Sequence, residues 1–423
     1  MEKLNTDCLI VIFNILRIYK KSLHSCLLVN REWCHLVIPI LWENYLYLPS
    51  RDEKSKEKFS NVILSQLPSL TKQLLSDNNI TLPQTILSKP PTFNYISFCK
   101  FLDTLIVDEI VDMMDIYEMA KFCKDLGELI IINYSQDTPG LAFLIDAQRK
   151  LKGVKLYSRV KQEKCEELSK ALARKHSTLN SLFLYNLVGV IKHFLLAPLI
   201  NLKDLSIEHV FNNEDIEVIK KFRKSLEILE FPDLQFLNFS SNLSFFKELA
   251  LLIERTKGNI KGVNVFASNK SAENAGMLIK AIVNNCPKIE RLSSHIGPKD
   301  LNYLKSLLLN CNDLSLLHFR GFKEHNDFGD ELLDTLTKFS PRSLITVTLY
   351  GDWKISANAL KSFFESFRER KSIIFYFVDI FGGYITGEHV KIAVKYFKEG
   401  ILTSSNLLDY HNPLYDDYDF DDL

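Results

Sequence analysis

The sequence has no excess of charge of either sign. Its 423 residues include 52 Lys and Arg residues against 52 Asp and Glu residues, so the formal net charge is zero. Surfaces that bind nucleic acid or an anionic membrane need an excess of basic residues, because their partners are polyanions. We therefore expect neither nucleic acid nor a membrane surface among the partners of this protein.

Cysteine is sparse and irregularly spaced. Eight cysteines are spread over the chain, and no two of them form a C-x-x-C pair. Disulfide frameworks and zinc sites need closely and regularly spaced cysteines. The first 16 residues carry acidic side chains instead of a basic segment followed by a continuous apolar run, so we expect no signal peptide. These features favour a cytoplasmic or nuclear protein with reduced cysteines.

Long apolar runs and catalytic motifs are also missing. The most apolar late segment, residues 373–381, is far shorter than the ~20 residues that span a bilayer. The glycines of residues 381–387 lack the Lys-Ser/Thr that completes a phosphate-binding loop, and neither G-x-S-x-G nor H-E-x-x-H occurs. We expect a protein that is not an enzyme and that has no catalytic residues, cofactor or metal ion.

What the sequence does contain is a repeat. The template L-x-x-L-x-L, with aliphatic or aromatic substitutions, recurs mostly every 23 to 30 residues. Copies begin at Leu126, Leu151, Leu179, Leu202, Leu226, Ile260, Ile289, Leu314 and Leu344, with a degenerate copy near residues 373–377. The step from Leu226 to Ile260 is longer, and a second register at Leu234, Leu237 and Phe239 stays open there.

Amphipathic helical patterns separate these copies. They cover residues 163–175, 215–224, 245–256, 273–284, 299–310, 329–338, 357–369 and 387–398. A short strand plus a helix at this period is the leucine-rich-repeat unit, and stacked units bury the apolar face that a single unit leaves open. The sequence thus predicts an α/β leucine-rich-repeat solenoid, with short parallel strands on the concave side and helices outside, preceded by a small all-α module.

The predicted organisation has four parts. Residues 1–48 form a three-helix module, residues 49–97 form a linker and N-terminal capping region, and residues 98–400 form the solenoid. Residues 401–423 are an acidic tail with five aspartates among its last eight residues. Like charges at that density repel one another in any compact form, so the sequence predicts a disordered tail.

Residues 22–45 are mostly apolar but contain two cysteines, two histidines and two of the three tryptophans. One interpretation is a metal site formed by His24, Cys26, Cys34 and His35, although the spacing matches no zinc pattern. A second is a helical cap that covers the end of the solenoid. The third is a docking module, and it uses the whole N-terminal segment.

Three blocks of residues carry that third interpretation. The first block contains Leu4, Asp7, Leu9, Ile12, Phe13 and Leu16, the second Leu27, Val29, Asn30, Arg31 and Trp33, and the third Leu41 and Trp42. In order and spacing, the blocks resemble the F-box, except that Asn5 stands where that family usually has proline. With the repeats behind it, the chain is similar to the large fungal families of F-box/leucine-rich-repeat proteins.

The resemblance implies a role. An F-box docks on the Skp adaptor of a Skp–cullin–F-box ubiquitin ligase, and the repeats then bind a protein substrate. It also implies adaptor-binding residues, namely Leu4, Asn5, Leu9, Ile12, Leu28 and Arg31, while Phe13, Leu16 and Trp33 are expected to be internal. The alternative is a leucine-rich-repeat interaction scaffold that is not coupled to ubiquitination.

Strand periodicity predicts where a substrate would bind. Template residues point into the core, so the alternate residues face the concave surface. Aromatic and basic residues among these are typical binding anchors, and they are Tyr157, Phe183, Tyr185, Phe266, Arg291, His318, Arg320 and Tyr350. The alternative is that such residues only pair across neighbouring strands, as Lys155 and Glu128 would. We expect a protein or peptide substrate whose more acidic part lies toward Arg291 and Arg320.

Overall fold

The computed structural model divides the chain into two compact units, Met1–Leu199 and Ile200–Leu423. The described residues are 5–16, 19–46, 104–108, 113–132, 139–158, 165–187, 196–211, 216–267, 274–321, 327–378 and 384–411. Leu4, the predicted linker and capping region at 49–97, and residues 412–423 of the predicted tail lie outside them.

Three helices make up the N-terminal module of the first unit. They are α1 (Thr6–Ile15), α2 (Lys20–Cys26) and α3 (Arg31–Leu46). Asn5 caps α1 by accepting a hydrogen bond from the Asp7 backbone N–H, and Asn30 accepts one from the Trp33 backbone N–H at 2.8 Å at the start of α3. The core of the module consists of Leu9, Phe13, Leu23, Val37 and Ile40. The predicted three-helix module is therefore present.

Strands and helices alternate in the remainder of the first unit. The order is β1 (Thr104–Asp108), α4 (Met113–Phe122), β2 (Glu128–Ile132), α5 (Pro139–Ala147), β3 (Gly153–Tyr157), α6 (Glu166–Arg174) and β4 (Ser181–Tyr185). Each strand pairs in parallel with the next one along the chain. Helix α3 also contacts β1.

The second unit continues the same alternation. It contains β5 (Asp204–His209), α7 (Ile216–Leu226), β6 (Phe236–Ser241), α8 (Phe246–Glu254), β7 (Gly262–Ala267), α9 (Ala275–Asn285), β8 (Arg291–His295), a 3₁₀ turn (Pro298–Asp300), α10 (Leu301–Asn310), β9 (Leu316–Arg320), α11 (Gly329–Phe339), β10 (Thr346–Tyr350), α12 (Ala357–Glu365), β11 (Ile373–Val378), α13 (Gly387–Lys398), β12 (Leu402–Ser404) and a second 3₁₀ turn (Asn406–His411). Consecutive strands β5 to β12 are all parallel neighbours.

The template residues are the buried ones, which confirms the leucine-rich-repeat fold. Leu182 and Leu184 are buried in β4, whereas the alternate residues of that strand are partly exposed. The same alternation recurs in β5, β9 and β10. Cys286 and Cys311 are buried at equivalent helix ends, and burial raises the pKa of Cys286 to about 12 and that of Cys311 to about 11. The two thiols thus fill apolar space and stay protonated.

The repeat copy predicted at Leu226 is wrong. Leu226 is the last residue of α7, and the strand that follows is Phe236–Ser241, which uses the register at Leu234. Leu226 and Leu229 are spaced i, i+3, which suits one face of a helix as well as the repeat template. Pro232 has no N–H to donate to a strand ladder, so a strand through it is disfavoured.

The predicted boundary at residue 400 is also wrong. Strand β12 pairs with β11, and the turn Asn406–His411 packs behind it with Leu407 fully buried. The Asn406 side chain accepts a hydrogen bond from the Phe377 backbone N–H at 2.8 Å and donates one to the Phe377 carbonyl at 2.6 Å. The repeats therefore extend to residue 411, and a strand of only three residues is too short to be recognised from sequence.

Candidate protein-interaction surfaces

The N-terminal module leaves large apolar side chains exposed around a closed core. They lie on α1 and in the turn after α2, and they are Ile10, Val11, Ile12, Ile15, Leu28 and Val29, hereafter the exposed apolar set. Leu28 is 88% exposed and Ile15 is 65% exposed. Single exposed apolar residues are common on proteins, and several within one small module make this module a candidate interaction surface.

The predicted adaptor-binding residues divide into three groups. Asn5, Ile12, Leu28 and Arg31 are exposed, as a docking surface requires. Leu9 is only 3% exposed and lies in the core of the module, so its assignment to the surface is wrong. The reason is helical geometry, because Leu9 lies one turn before Phe13 and shares its inward face. Leu4 lies outside the described residues.

The residues predicted to be internal lie where expected. Phe13 is fully buried, and Leu16 and Trp33 pack against the same core. The rings of Phe13 and Trp33 meet edge to face, with centroids 5.1 Å apart.

The four residues considered as metal ligands do not face one another. Cys34 is buried while the adjacent His35 is exposed, and His24 is exposed on α2. Among the described residues, no group of three or more His, Cys, Asp or Glu side chains could hold a metal ion. Over all of the described ranges, no helix has the length and apolar character needed to cross a bilayer.

The first unit presents three aromatic rings on the open face of its sheet. Tyr157 lies 4.9 Å from Phe183 and 6.1 Å from Tyr185, measured between ring centroids. All three are partly exposed and alternate with buried residues along β3 and β4, as predicted. Beside them, Lys155 and Glu128 form an ion pair at 2.8 Å, so the predicted cross-strand pairing also occurs on this face.

A charged groove of about 690 Å³ lies at the edge where strands β1 to β4 of the first unit begin. Its lining includes Asp125, Glu128, Arg149, Lys150 and Lys152. The Arg149 guanidinium forms two hydrogen bonds with the Asp125 carboxylate, which holds the pKa of that carboxyl below its usual range. Because the charges of this groove are partly paired with one another, it is a weaker candidate for a binding site than the open face.

The second unit carries a cluster built around one arginine, which we call the Arg320 cluster and define as Phe266, His318, Arg320 and Tyr350. The Arg320 Cζ atom lies 4.1 Å from the ring centroid of Phe266 and 4.4 Å from that of Tyr350. Arg320 on β9 lies opposite Tyr350 on β10, and Phe266 comes from β7 on the other side. The His318 and Tyr350 rings are 6.3 Å apart.

Burial governs the electrostatics of this cluster. Burial lowers the pKa of Arg320, and it lowers the pKa of His318 to about 4, with the Arg320 guanidinium adding to the second effect. His295, on the strand between Phe266 and Arg320, is buried and also has its pKa lowered to about 4, mainly by burial. At neutral pH both imidazoles are therefore uncharged, and Arg320 is the cation of the cluster.

The structure thus brings together only part of the predicted substrate-binding set. Arg291 is exposed at the start of β8, opposite Leu316, and is separated along the strands from the Arg320 cluster. Tyr376 on β11 was not predicted, although it lies opposite Thr348 on the same face and shares a hydrogen bond of 3.0 Å with Ser404. The degenerate repeat near residues 373–377 gave no register from which to find it.

Comparison with known proteins gives structural neighbours only. No family model matches the chain, and the comparison with curated proteins found no match. One similar solved structure is the leucine-rich repeat-containing protein LegL7 from Legionella pneumophila, with 17% identity, a TM-score of 0.39, and coverage of 71% of this chain and 97% of that one. Another is an internalin from Listeria monocytogenes, with 12% identity, a TM-score of 0.38, and coverage of 74% and 88%.

The fold is shown by the chain's own repeats. Within each unit, every strand pairs in parallel with its neighbour in sequence, and helices alternate with the strands. The protein has the α/β leucine-rich-repeat architecture, preceded by three helices.

Proposed function

We propose that this protein is the substrate-recognition subunit of a Skp–cullin–F-box ubiquitin ligase. The observation that carries the proposal is the exposed apolar set of the N-terminal module, which occurs within a segment that resembles the F-box. The module has a core of its own, and these side chains lie outside it.

The docking surface follows from burial. The proposed surface contains Asn5, Ile12, Leu28 and Arg31, which the resemblance selects and which are exposed, together with the exposed Val11 and Ile15. Covering a fully exposed leucine contributes about 1.5–3 kcal/mol to association, which corresponds to about 10- to 150-fold in affinity. Leu28 is therefore the side chain whose loss affects docking most.

The repeats are proposed to capture a protein substrate on the open face of the strands. Aromatic and arginine side chains are the residue types that dominate protein interfaces, and both types occur there. The proposed substrate has its more acidic part over the strands that carry Arg291 and Arg320. The protein would position the substrate, while other subunits of the complex, including the adaptor-bound cullin, would carry out the chemistry in the cytoplasm or nucleus.

Adaptor binding is tested with a matched pair of surface variants. Leu28→Asp introduces a charge into the exposed apolar set, and Ile228→Asp does the same at a residue of the second unit that is 59% exposed. We expect only Leu28→Asp to abolish pull-down of the Skp adaptor and cullin, with both variants keeping wild-type circular dichroism. Normal pull-down by Leu28→Asp would overturn the proposal. Point variants are sharper than deletion of residues 1–45, because deletion also uncovers β1 where α3 contacts it.

Substrate capture is tested separately with a triple variant. Replacing Tyr185, Phe266 and Arg320 by alanine removes anchors from both units while leaving the N-terminal module intact. We expect adaptor binding to persist and recovery of substrate in cross-linked complexes to fall at least tenfold. A variant that still captures its substrate normally contradicts the assignment of the open face. If substrate capture occurs but the wild type binds no adaptor, the protein is an interaction scaffold that is not coupled to ubiquitination.

A further inference from the structure

Arg320 differs from the other partly buried arginines of the second unit. Arg223 pairs with Glu248, Arg255 donates hydrogen bonds to backbone carbonyls including that of Leu229, and Arg370 donates one to the Ser340 carbonyl. For Arg320, no carboxylate among the described residues lies within ion-pair distance. Its contacts are two aromatic rings and the Tyr350 hydroxyl.

The Tyr350 hydroxyl can accept from only part of the hydrogen-bonding edge of the guanidinium, so the remaining N–H donors are available. A guanidinium carries five N–H donors in its plane, whereas stacking on aromatic rings uses its faces. The Phe266 and Tyr350 rings, from strands on either side of β9, lie 4.1 and 4.4 Å from the Arg320 Cζ atom and so restrict the guanidinium before any ligand arrives. A partly buried cation without an anion is unfavourable, and a carboxylate placed on the free edge would remove that cost through two charge-assisted hydrogen bonds.

His318 supplies a second polar group beside the first. Its Nε2 atom is buried and has no hydrogen-bond partner within the described chain. A buried polar atom left in this way is costly unless a ligand or water completes its bonding. Because burial holds the pKa of His318 at about 4, its ring is neutral at physiological pH and adds no second charge.

We propose that the Arg320 cluster is a carboxylate-binding site that takes the side chain of an Asp or Glu residue in a peptide segment of the captured protein. One guanidinium and one neutral imidazole supply a single positive charge, which matches the single charge of a carboxylate rather than the double charge of a phosphate. This inference rests on the proposed function in one respect, namely that the peptide belongs to the captured substrate. Binding of the peptide at the Arg320 cluster does not require the adaptor.

The test is peptide selection by the full-length protein. The immobilised protein is incubated with nonapeptide libraries whose central residue is Asp, Glu, Asn, Gln, Lys or phosphoserine and whose other positions are randomised. We expect the wild type to retain the Asp and Glu libraries at least fivefold more than the Asn and Gln libraries. Equal retention of acidic and amide libraries, or stronger retention of the phosphoserine library, would overturn the proposal.

A matched pair of arginine variants tests whether Arg320 is responsible for the preference for acidic peptides. Arg320→Lys keeps the charge but removes the planar donor pair, while Arg342→Lys makes the same change at an exposed residue of the same unit. We expect the acidic preference to disappear in Arg320→Lys and to persist in Arg342→Lys, with similar melting temperatures. An undiminished preference in Arg320→Lys contradicts the assignment.

Carboxylates of the chain itself are the competing occupants. In sequence, they include Glu324, which follows β9, and the tail residues Asp416, Asp417, Asp419, Asp421 and Asp422. Two full-length variants convert Glu324 to Gln or the five tail residues to Asn. We expect the affinity for acidic peptides to change less than twofold. A fivefold gain in either variant would mean that the chain fills its own site, which overturns the assignment to a partner. Pull-down of the adaptor by the same variants tests the proposed function independently.

Discussion

Acidification is predicted to destabilise the second unit through His295 and His318. In the unfolded chain both imidazoles take up a proton as the pH falls below about 6.5. In the folded unit, burial lowers both pKa values to about 4. Between these two pH values the unfolded state therefore binds more protons, so the free energy of unfolding is highest above about pH 6.5 and decreases as the pH falls toward 4.

The size of the effect follows from the pKa values. A fall in the pKa of one histidine from 6.5 to about 4 changes the free energy of unfolding by about 3 kcal/mol once the full pH range is crossed. His318 is only partly buried, so solvent screening reduces its share. We expect the two histidines together to cost about 3 kcal/mol between pH 7 and pH 4.5. Burial raises the pKa of Asp204 and of Asp300, which opposes this trend at the acidic end.

Urea unfolding at a series of pH values measures this effect. Trp353 is fully buried in the second unit, and its fluorescence reports on that unit in a Trp33→Phe, Trp42→Phe background. Comparison with His318→Gln in the same background isolates the contribution of His318 together with its minor effect on His295. Between pH 7 and pH 4.5, we expect the free energy of unfolding to fall in both proteins. The fall should be smaller in the variant than in its parent by at least 1 kcal/mol. Identical pH dependence in the two proteins would refute the reasoning.

Two further substitutions test the packing. Phe13→Ala removes a fully buried ring that contacts Trp33, so it should cost the N-terminal module about 3–5 kcal/mol in thermal unfolding; a cost below 1 kcal/mol would contradict the assigned core. Gly329→Ala would place a Cβ atom 2.3 Å from the Lys354 carbonyl oxygen, a backbone atom, so it should lower stability in urea by about 1–3 kcal/mol. An unchanged urea midpoint would mean that α11 can shift freely.

The repeats were predictable because burial and spacing agree in them. Each template residue of β4 and β9 is buried, and no competing pattern fits those segments. Near Leu226 the same spacing satisfies a helix and a strand, and local pattern alone could not decide between them. The short strand β12 is fixed by pairing with β11 and by the Asn406 hydrogen bonds, which are tertiary contacts that its three residues do not reveal.

The candidate sites were predictable only in part. Strand periodicity placed Phe266, Arg320 and Tyr350 on one face, but their mutual contacts depend on the register between β7, β9 and β10. The motif resemblance predicted both Leu9 and Leu28 to bind the adaptor. In the structure, helix packing buries Leu9 in the core and leaves Leu28 exposed. The absence of a carboxylate partner for Arg320 among the described residues emerges only when all neighbours are placed.

The central claim is that the N-terminal module docks a Skp-type adaptor, and isothermal titration calorimetry of the full-length protein against that adaptor tests it most directly. We predict one-to-one binding that is weakened at least tenfold by Leu28→Asp and is unchanged by Ile228→Asp and by Arg320→Lys. Absence of binding by the wild type, or equal binding by Leu28→Asp and wild type, would contradict the claim.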